Sequence, residues 1–194
     1  MIDYTIIATG SQGNAVVVND FLLIDCGVPF KSLLPYYKKL RLVLLTHIHF
    51  DHFKKATIKN LALQRPTLRF GCGRWLVPAL IELGVSKSNI DILDYDTRYG
   101  YGLCNVIPVP LVHNVPNQGY KIHFSDGSKM IYATDTNNLN GITAYHYDLY
   151  LIEGNHDETE IRERIAEKES LGVFAYEKRV IRDHLSIQNV ITLL

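Results

Sequence analysis

One heptapeptide decides how this chain folds: Thr46-His47-Ile48-His49-Phe50-Asp51-His52. An apolar run at residues 42–45 precedes it and predicts a buried strand, and residues 54–64 after it predict a helix. Three imidazoles and one carboxylate on a strand-to-helix turn are a metal-ligand set. Neutral imidazole suits zinc, iron or manganese-type ions, and the carboxylate makes the site harder.

The spacing within the heptapeptide separates its side chains into two groups. His47 and His49 lie two residues apart and point the same way on an extended backbone, whereas Asp51 and His52 follow the turn and can face a second ion. With 8 His among 194 residues, chance produces His-x-His-x-Asp-His on the order of 0.001 times in such a chain. The alternative is three solvated histidines on a loop, and that alternative gives no reason for this spacing.

Length and charge set the class of the protein. The chain has 194 residues and is 47% hydrophobic, which predicts a single domain over residues 1–194 with a sizeable core. Lys and Arg number 20, as do Asp and Glu, so the formal net charge is zero. A neutral protein has no general attraction to nucleic acid, and any such contact must use a local basic patch.

The cysteines and the N-terminal residues indicate a compartment. The chain has an odd number of cysteines, and they are widely spaced: Cys26, Cys72 and Cys104. We therefore expect reduced, mostly buried thiols instead of disulfides. The first residues lack a basic region followed by an apolar core, so no signal peptide is expected. No apolar run approaches the ~18 residues of a membrane span. These features predict a cytoplasmic protein with no membrane partner.

The hydrophobic pattern predicts two sheets covered by helices. Predicted strands cover residues 4–8, 15–18, 21–24, 41–46, 67–71, 89–94, 106–112, 119–124, 129–134 and 148–153. Predicted helices cover residues 30–40, 54–64, 74–84 and 158–170. Turn signals lie at residues 19–20, 99–102 and 125–128.

Four further acids and histidines follow predicted strands. They are Asp25, His113, Asp135 and His184, the last of which follows the run Val180-Ile181-Arg182-Asp183. In isolation such a residue is more often a turn former or a hydrogen-bond partner. The heptapeptide changes that balance, because two ions need more ligands than it supplies.

In chain order, Asp25, the heptapeptide, His113, Asp135 and His184 resemble the five motifs of the metallo-β-lactamase superfamily, and the resemblance covers essentially the whole chain. It implies an α/β fold, the αββα sandwich, with a dinuclear site at one edge of two sheets. It also implies the ligands: His47, His49 and His113 for the first metal, Asp51, His52 and His184 for the second, and Asp135 as the bridge. The implied cofactors are two divalent ions; zinc is the expected metal, and manganese or iron are the alternatives. Asp25 would support the ligands, and ligating imidazoles do need an acceptor for their other ring nitrogen.

Three shorter stretches are similar to the WalJ-type exonucleases of this superfamily. Gly10-Ser11-Gln12-Gly13-Asn14 is similar to their G-S-S-G-N loop, residues 152–157 resemble E-S-N-H-D with Gly154 in place of Ser, and residues 184–186 resemble H-L-S. The chain also departs from that group. It is shorter, and Asn114 stands where an acid usually follows the third-motif histidine.

Several residues around these motifs are candidates for substrate contact. They are Ser11, Asn14, Asn155, Arg179 and Arg182. Arg179 and Arg182, with Lys178, form either a solvated face or a phosphate-binding rim. Asn155 or Asp157 is expected to cap the helix that follows. His156 either belongs only to this capping turn or also faces the cleft as a proton donor or phosphate contact.

The predicted function is a dinuclear metal phosphodiesterase, a nuclease acting on DNA, with a metal-bridging hydroxide as nucleophile. Asp51 would orient or deprotonate the water, and His156 would protonate the leaving oxygen. A second hypothesis is a phosphodiesterase for small cyclic nucleotides, which the short length and zero net charge favour. A third is hydrolysis of a lactam, lactone or thioester, and a fourth is a metal-stabilised binding module without catalysis.

Overall fold

The computed structural model describes residues 1–193. The chain divides into two compact units, Met1–Tyr99 and the residues from Gly100 onward. The prediction of a single domain over residues 1–194 stays a prediction. Two sheets accompanied by helices are present, as the hydrophobic pattern predicted.

The first unit contains a six-stranded sheet in sequential order. Its strands are β1 (Tyr4–Ala8), β2 (Ala15–Val18), β3 (Leu22–Ile24), β4 (Leu42–Leu45), β5 (Arg69–Cys72) and β6 (Ile90–Ile92). The pairs β1–β2 and β2–β3 are antiparallel, and β3 to β6 are parallel. Because β3 and β4 are parallel neighbours, Asp25 and Thr46 leave the sheet at the same edge.

Helices in this unit are shorter than predicted. They are α1 (Lys55–Gln64), α2 (Val77–Glu82) and 3₁₀ turns at Phe30–Leu33, Arg74–Leu76 and Lys87–Asn89. The predicted helix at 30–40 is wrong beyond Leu33, because Pro35 lacks an N–H and its ring obstructs the preceding turn. The predicted helix at 74–84 becomes α-helical only at Val77, next to Pro78, a residue that favours the first turn.

The core of the first unit joins one face of the sheet to the helices. Leu23 and Val43 from the strands pack in one cluster with Ile58 and Leu61 from α1. All four residues of β4 are buried, which suits a parallel strand that reads as a continuous apolar run. This packing fixes the strand end from which the heptapeptide begins.

The second unit contains a five-stranded sheet in the order β11-β10-β9-β8-β7. Its strands are β7 (Tyr99–Gly100), β8 (Cys104–Leu111), β9 (Asn117–Phe124), β10 (Lys129–Ala133) and β11 (Leu149–Ile152). The predicted hairpin at 125–128 is confirmed, whereas the start of the predicted turn at 99–102 is strand β7. Since β8–β9 and β9–β10 are antiparallel and β10–β11 is parallel, β8, β10 and β11 end at the same edge.

Three helices belong to the second unit: α3 (Glu158–Ser170), α4 (Glu177–Asp183) and α5 (Ile187–Leu193). The predicted helix at 158–170 is confirmed, but the predicted strand at 180–183 is wrong, because these residues end α4. Glu177 and Asp183 are buried and Val180 is half-buried, whereas Arg179 is exposed. This three-residue spacing is typical of a helix, and the two adjacent β-branched residues conceal it in the sequence. Among the described residues, no helix is long and apolar enough to cross a membrane.

All three cysteines are buried and free of disulfides. Burial raises the pKa of the Cys72 thiol, and that of the Cys104 thiol, to about 12. The prediction of buried thiols instead of a disulfide framework is therefore confirmed.

Candidate metal centre

The heptapeptide begins where β4 leaves the sheet beside β3. Asp25, at the end of β3, donates its backbone N–H to the Leu44 carbonyl at 2.9 Å, and Thr46 donates its backbone N–H to the Asp25 carboxylate at 3.0 Å. The two strand ends are thus joined by hydrogen bonds. This joint holds the first histidine of the motif at a fixed position.

Asp25 is the acceptor around which the histidines of this unit are oriented. Its carboxylate is fully buried and accepts from the Thr46 hydroxyl at 3.0 Å and from His52 Nδ1 at 2.7 Å. The Thr46 hydroxyl lies 2.9 Å from His47 Nδ1. Asp25 therefore contacts His52 directly and His47 through Thr46, which leaves the lone pair of each imidazole on Nε2.

The geometry of His47 and His49 fits one divalent ion. His47 Nε2 lies 3.0 Å from His49 Nδ1. A tetrahedral zinc with Zn–N bonds of ~2.05 Å separates two ligand nitrogens by ~3.3 Å. The two nitrogens are therefore spaced nearly as ligands of a shared ion, and the same unit also offers the Asp51 carboxylate.

Asn14 joins the loop after β1 to the second half of the heptapeptide. Its backbone N–H donates to the Asp51 carbonyl at 2.6 Å, and its side-chain Nδ2 lies 2.8 Å from His52 Nε2. The same side chain exchanges two hydrogen bonds with the Gly10 backbone. Asn14 is buried, whereas Ser11 is exposed. The substrate contacts predicted for these two residues stay predictions.

Gly27 permits the close approach between the two loops. A methyl group at this position would lie 1.6 Å from the Asp51 carbonyl oxygen and 2.6 Å from the Asn14 nitrogen. No side chain fits there without moving the backbone. The glycine directly after Asp25-Cys26 is thus required for the heptapeptide to pack in this position.

Three loops of the second unit carry the remaining candidates, His113, Asp135 and Glu153, at the shared edge of its sheet. The loops are linked through Thr136, whose hydroxyl accepts the Val112 N–H at 3.0 Å and whose backbone N–H donates to Glu153 Oε1 at 2.5 Å. The link fixes the relative positions of the three loops.

Asp135 has a left-handed backbone conformation, and its side chain is directed toward His184. Its φ is 55°, in the left-handed region, which asparagine and aspartate tolerate better than most residues. Asn117 stabilises this conformation by donating Nδ2 to the carbonyls of Thr134 and Asp135 at 3.0 and 2.7 Å. The Asp135 carboxylate lies 3.4 Å from His184 Nδ1.

Glu153 is the site residue that sequence analysis missed. Its carboxylate lies 2.9 Å from His184 Nδ1, and this hydrogen bond raises the pKa of His184. Asp135, Glu153 and His184 each offer a ligand atom, and these atoms lie within 4.8 Å of one another. The signal was available, since Glu153 directly follows a strand in the stretch 152–157 that resembles E-S-N-H-D.

His184 occupies a different setting from the predicted one. It ends α4 instead of following a strand. His113 lies beside it, with ring centroids 5.5 Å apart, and His113 Nδ1 lies 3.3 Å from the Asp183 carbonyl. The second unit thus brings His113, Asp135 and His184 together, and adds Glu153.

The three basic residues of the predicted phosphate-binding rim, Lys178, Arg179 and Arg182, all form ion pairs. Arg179 and Arg182 both bind the Asp183 carboxylate, at 3.4 and 2.8 Å, and Lys178 pairs with Glu169. The pKa of Asp183 is lowered, first by the hydrogen bond from Arg182. Two acids therefore offset part of the positive charge of the rim, and its predicted phosphate contacts stay predictions.

The turn before α3 contains Asn155, His156 and Asp157. Asp157 is the helix cap, accepting from the backbone N–H groups of Thr159 and Glu160 at 2.8 and 3.1 Å. Asn155 is exposed and donates its backbone N–H to the Leu185 carbonyl. His156 is half-buried, and burial lowers its pKa.

A family model described as a beta-lactamase superfamily domain matches residues 21–174, most of the chain. The chain belongs to the beta-lactamase superfamily. Members of this superfamily with the metallo-β-lactamase fold are metal-dependent hydrolases, and the His and Asp side chains above are the candidate metal ligands of this member. A comparison with curated proteins finds no match.

Solved structures share the fold of this superfamily member. The metallo-β-lactamase fold protein YhfI from Bacillus subtilis is 19% identical, with a TM-score of 0.67 over 81% of this chain and 73% of that one. Human tRNase Z, short form, is 16% identical, with a TM-score of 0.67 over 100% and 87%. A diphosphatase of the PhnP family is 14% identical, with a TM-score of 0.65 over 100% and 82%. At these identities the likeness shows the fold alone, and it confirms the predicted α/β fold of the metallo-β-lactamase type.

Proposed function

We propose that this protein is a metal-dependent phosphodiesterase whose substrate is DNA. The observation that carries the proposal is the orientation of His47 and His52 by Asp25, which engages their Nδ1 atoms directly or through Thr46 and leaves their Nε2 lone pairs on the opposite side of each ring as metal ligands. Carboxylates at Asp51 and Asp135 supply the harder donors that hydrolytic ions use. The three stretches similar to WalJ-type exonucleases support a nuclease, and two neighbours are named as a tRNase and a diphosphatase.

The ligand sets implied by the resemblance are part of this proposal. They comprise His47, His49, Asp51, His52, His113, Asp135 and His184. When bound, two divalent ions, zinc first, activate water and stabilise the charge that develops on phosphate. Asp51 orients the attacking water, Asp25 and Glu153 hold imidazoles in position, and His156 contacts substrate at the leaving side.

A second candidate is a phosphodiesterase for small cyclic nucleotides. The observation that favours it is the pairing of Arg179 and Arg182 with Asp183, and of Lys178 with Glu169, in a chain of zero net charge. Less positive charge is then available for a polymer backbone. The two candidates share their metal chemistry and differ in how many phosphates the protein contacts.

Salt dependence separates the two candidates. Metal-reconstituted protein is assayed in parallel on labelled single- and double-stranded DNA, RNA and cyclic mononucleotides. For a nuclease we expect the KM for DNA to rise on the order of tenfold between 50 and 200 mM salt, because contacts to a few phosphates release counterions. A cyclic mononucleotide carries a single charge and would show a shallow dependence.

Replacement of Lys178, Arg179 and Arg182 by alanine should raise the KM for DNA and flatten its salt slope. A matched control removes three exposed lysines of the first unit, Lys31, Lys38 and Lys87, and should keep the wild-type slope. An unaltered KM and slope in the first triple variant would favour the small-phosphodiester candidate. Loaded protein that turns over none of these esters would favour the non-catalytic binding module.

A further inference from the structure

We propose that a small cavity between α3, α4 and the start of α5 binds a second phosphate of the substrate, attached to the same nucleotide as the phosphate that is cut. The proposal rests on the proposed phosphodiesterase function. The cavity has a volume of about 60 Å³ and lies within the second unit. Its polar lining comprises Asn137, His156, Arg162, His184, Ser186 and Asn189, with Glu158. Such a volume suits a few water molecules or one phosphate group.

His156 is the residue that most needs a partner in this cavity. Its Nδ1 atom is buried and has no hydrogen-bond partner among the described residues. Buried polar atoms in native proteins are almost always hydrogen-bonded to protein or to ordered water. Because His156 lines the cavity, we infer that an anion held there supplies the partner of this nitrogen. A phosphate oxygen accepts the N–H of an imidazole, and a protonated phosphate donates to its lone pair.

Arg162 supplies the charge for an anion. Its guanidinium lies 3.9 Å from Glu158 Oε2, a loose pair that leaves most of its five N–H groups for other acceptors. Glu158 is already engaged through its other oxygen, which accepts from the Ser186 hydroxyl at 2.8 Å. Each oxygen of the Glu158 carboxylate therefore has a partner. The remaining N–H groups of Arg162 are available as donors to a phosphate.

The cavity adjoins the candidate metal ligands through His184. One side of the His184 ring faces Glu153 and Asp135 through Nδ1, and the same residue lines the cavity. A phosphate held here would therefore lie next to the one that is cut. The protein should prefer a substrate whose terminal nucleotide carries a phosphate over one that ends in a hydroxyl.

The test compares thymidine dinucleotides that carry a 5′-phosphate, a 3′-phosphate or hydroxyls at both ends. We expect kcat/KM to be at least tenfold higher for one phosphorylated end than for the hydroxyl form. His156→Gln should reduce that ratio to below threefold, and Arg162→Ala, a surface change, should do the same. His146→Gln is the matched control, because His146 lines a separate cavity of the same unit, and it should keep the ratio. Because each ratio is taken within one enzyme, any change in metal loading cancels.

A second readout does not depend on turnover. Inorganic phosphate is titrated into the protein while the imidazole ¹⁵N resonances are followed by NMR. The His156 signal should shift in the wild type, and the Kd for phosphate obtained from this shift should be at least fivefold higher in Arg162→Ala. Wild-type turnover with no end preference and no His156 shift would overturn the cavity proposal and leave the phosphodiesterase intact. A His156 shift without turnover of any phosphodiester would contradict the proposed function and retain the phosphate site.

Discussion

Replacement of Asp135 by asparagine lowers the turnover of phosphodiester substrates by at least a thousandfold, equivalent to ~4 kcal/mol of transition-state stabilisation. The reason is the position of its carboxylate, which the left-handed backbone and Asn117 aim toward His184 at the edge of the sheet. The resemblance assigns Asp135 as the bridge between two ions. A neutral amide cannot replace a charged bridging oxygen.

Asparagine is the informative substitution because it keeps the shape of the side chain and tolerates φ > 0 as aspartate does. The folded state should therefore survive, which circular dichroism and urea unfolding would verify. Asp126→Asn, in the exposed turn between β9 and β10, is the matched control and should retain wild-type turnover. If Asp135→Asn keeps activity on bis(p-nitrophenyl) phosphate within about tenfold, ~1.4 kcal/mol, Asp135 is not a metal bridge.

Replacement of Asp25 by alanine destabilises the metal-free protein by ~3 kcal/mol or more. Asp25 is fully buried, and its carboxylate accepts hydrogen bonds from the Thr46 backbone, the Thr46 hydroxyl and His52 Nδ1. Each buried donor left without its partner costs ~1–3 kcal/mol. Urea unfolding of the apo-protein measures the loss, with the slope of the transition checked for constancy.

The control for this variant is Asp20→Ala in the turn between β2 and β3. Asp20 has a φ of 61°, nearly that of Asp25 at 60°, so both variants place alanine in the left-handed region at a similar cost. The Asp20 side chain is half exposed, and its ion pair with Lys39 lies in water, where such a contact contributes little to stability. Equal losses in the two variants would mean that the buried hydrogen bonds of Asp25 contribute little.

The sequence predicted the site residues that lie directly after buried strands. His47, His49 and Asp25 follow apolar runs short enough to be buried strands, and parallel strands end at one edge, so their convergence was predictable. The contacts of Asn14 with Asp51 and His52 were not, because they join residues 37 and 38 positions apart. Only the packed sheet brings them together.

The predicted strand before His184 is a helix for a physical reason. Val180 and Ile181 are β-branched and favour a strand locally, but Glu177, Val180 and Asp183 are buried or half-buried at the three-residue spacing of a helix. One Glu177 oxygen accepts from Lys168, and Asp183 accepts from Arg179 and Arg182. The pair of Lys168 with Glu177 joins α3 to α4, whereas the pairs of Asp183 with Arg179 and Arg182 lie within α4. Glu153 was missed because a lone acid after a strand is usually a turn residue, and its contact with His184 spans 31 positions.

The central claim is that this chain holds a pair of divalent ions, and elemental analysis tests it most directly. Protein freed of metal with a chelator is reconstituted with zinc, manganese or iron, dialysed, and measured for bound metal per chain. Seven candidate ligands are more than one tetrahedral ion takes, so we expect two ions per chain at saturation with at least one of these metals. Saturation at a single ion per chain with all three metals would contradict the account.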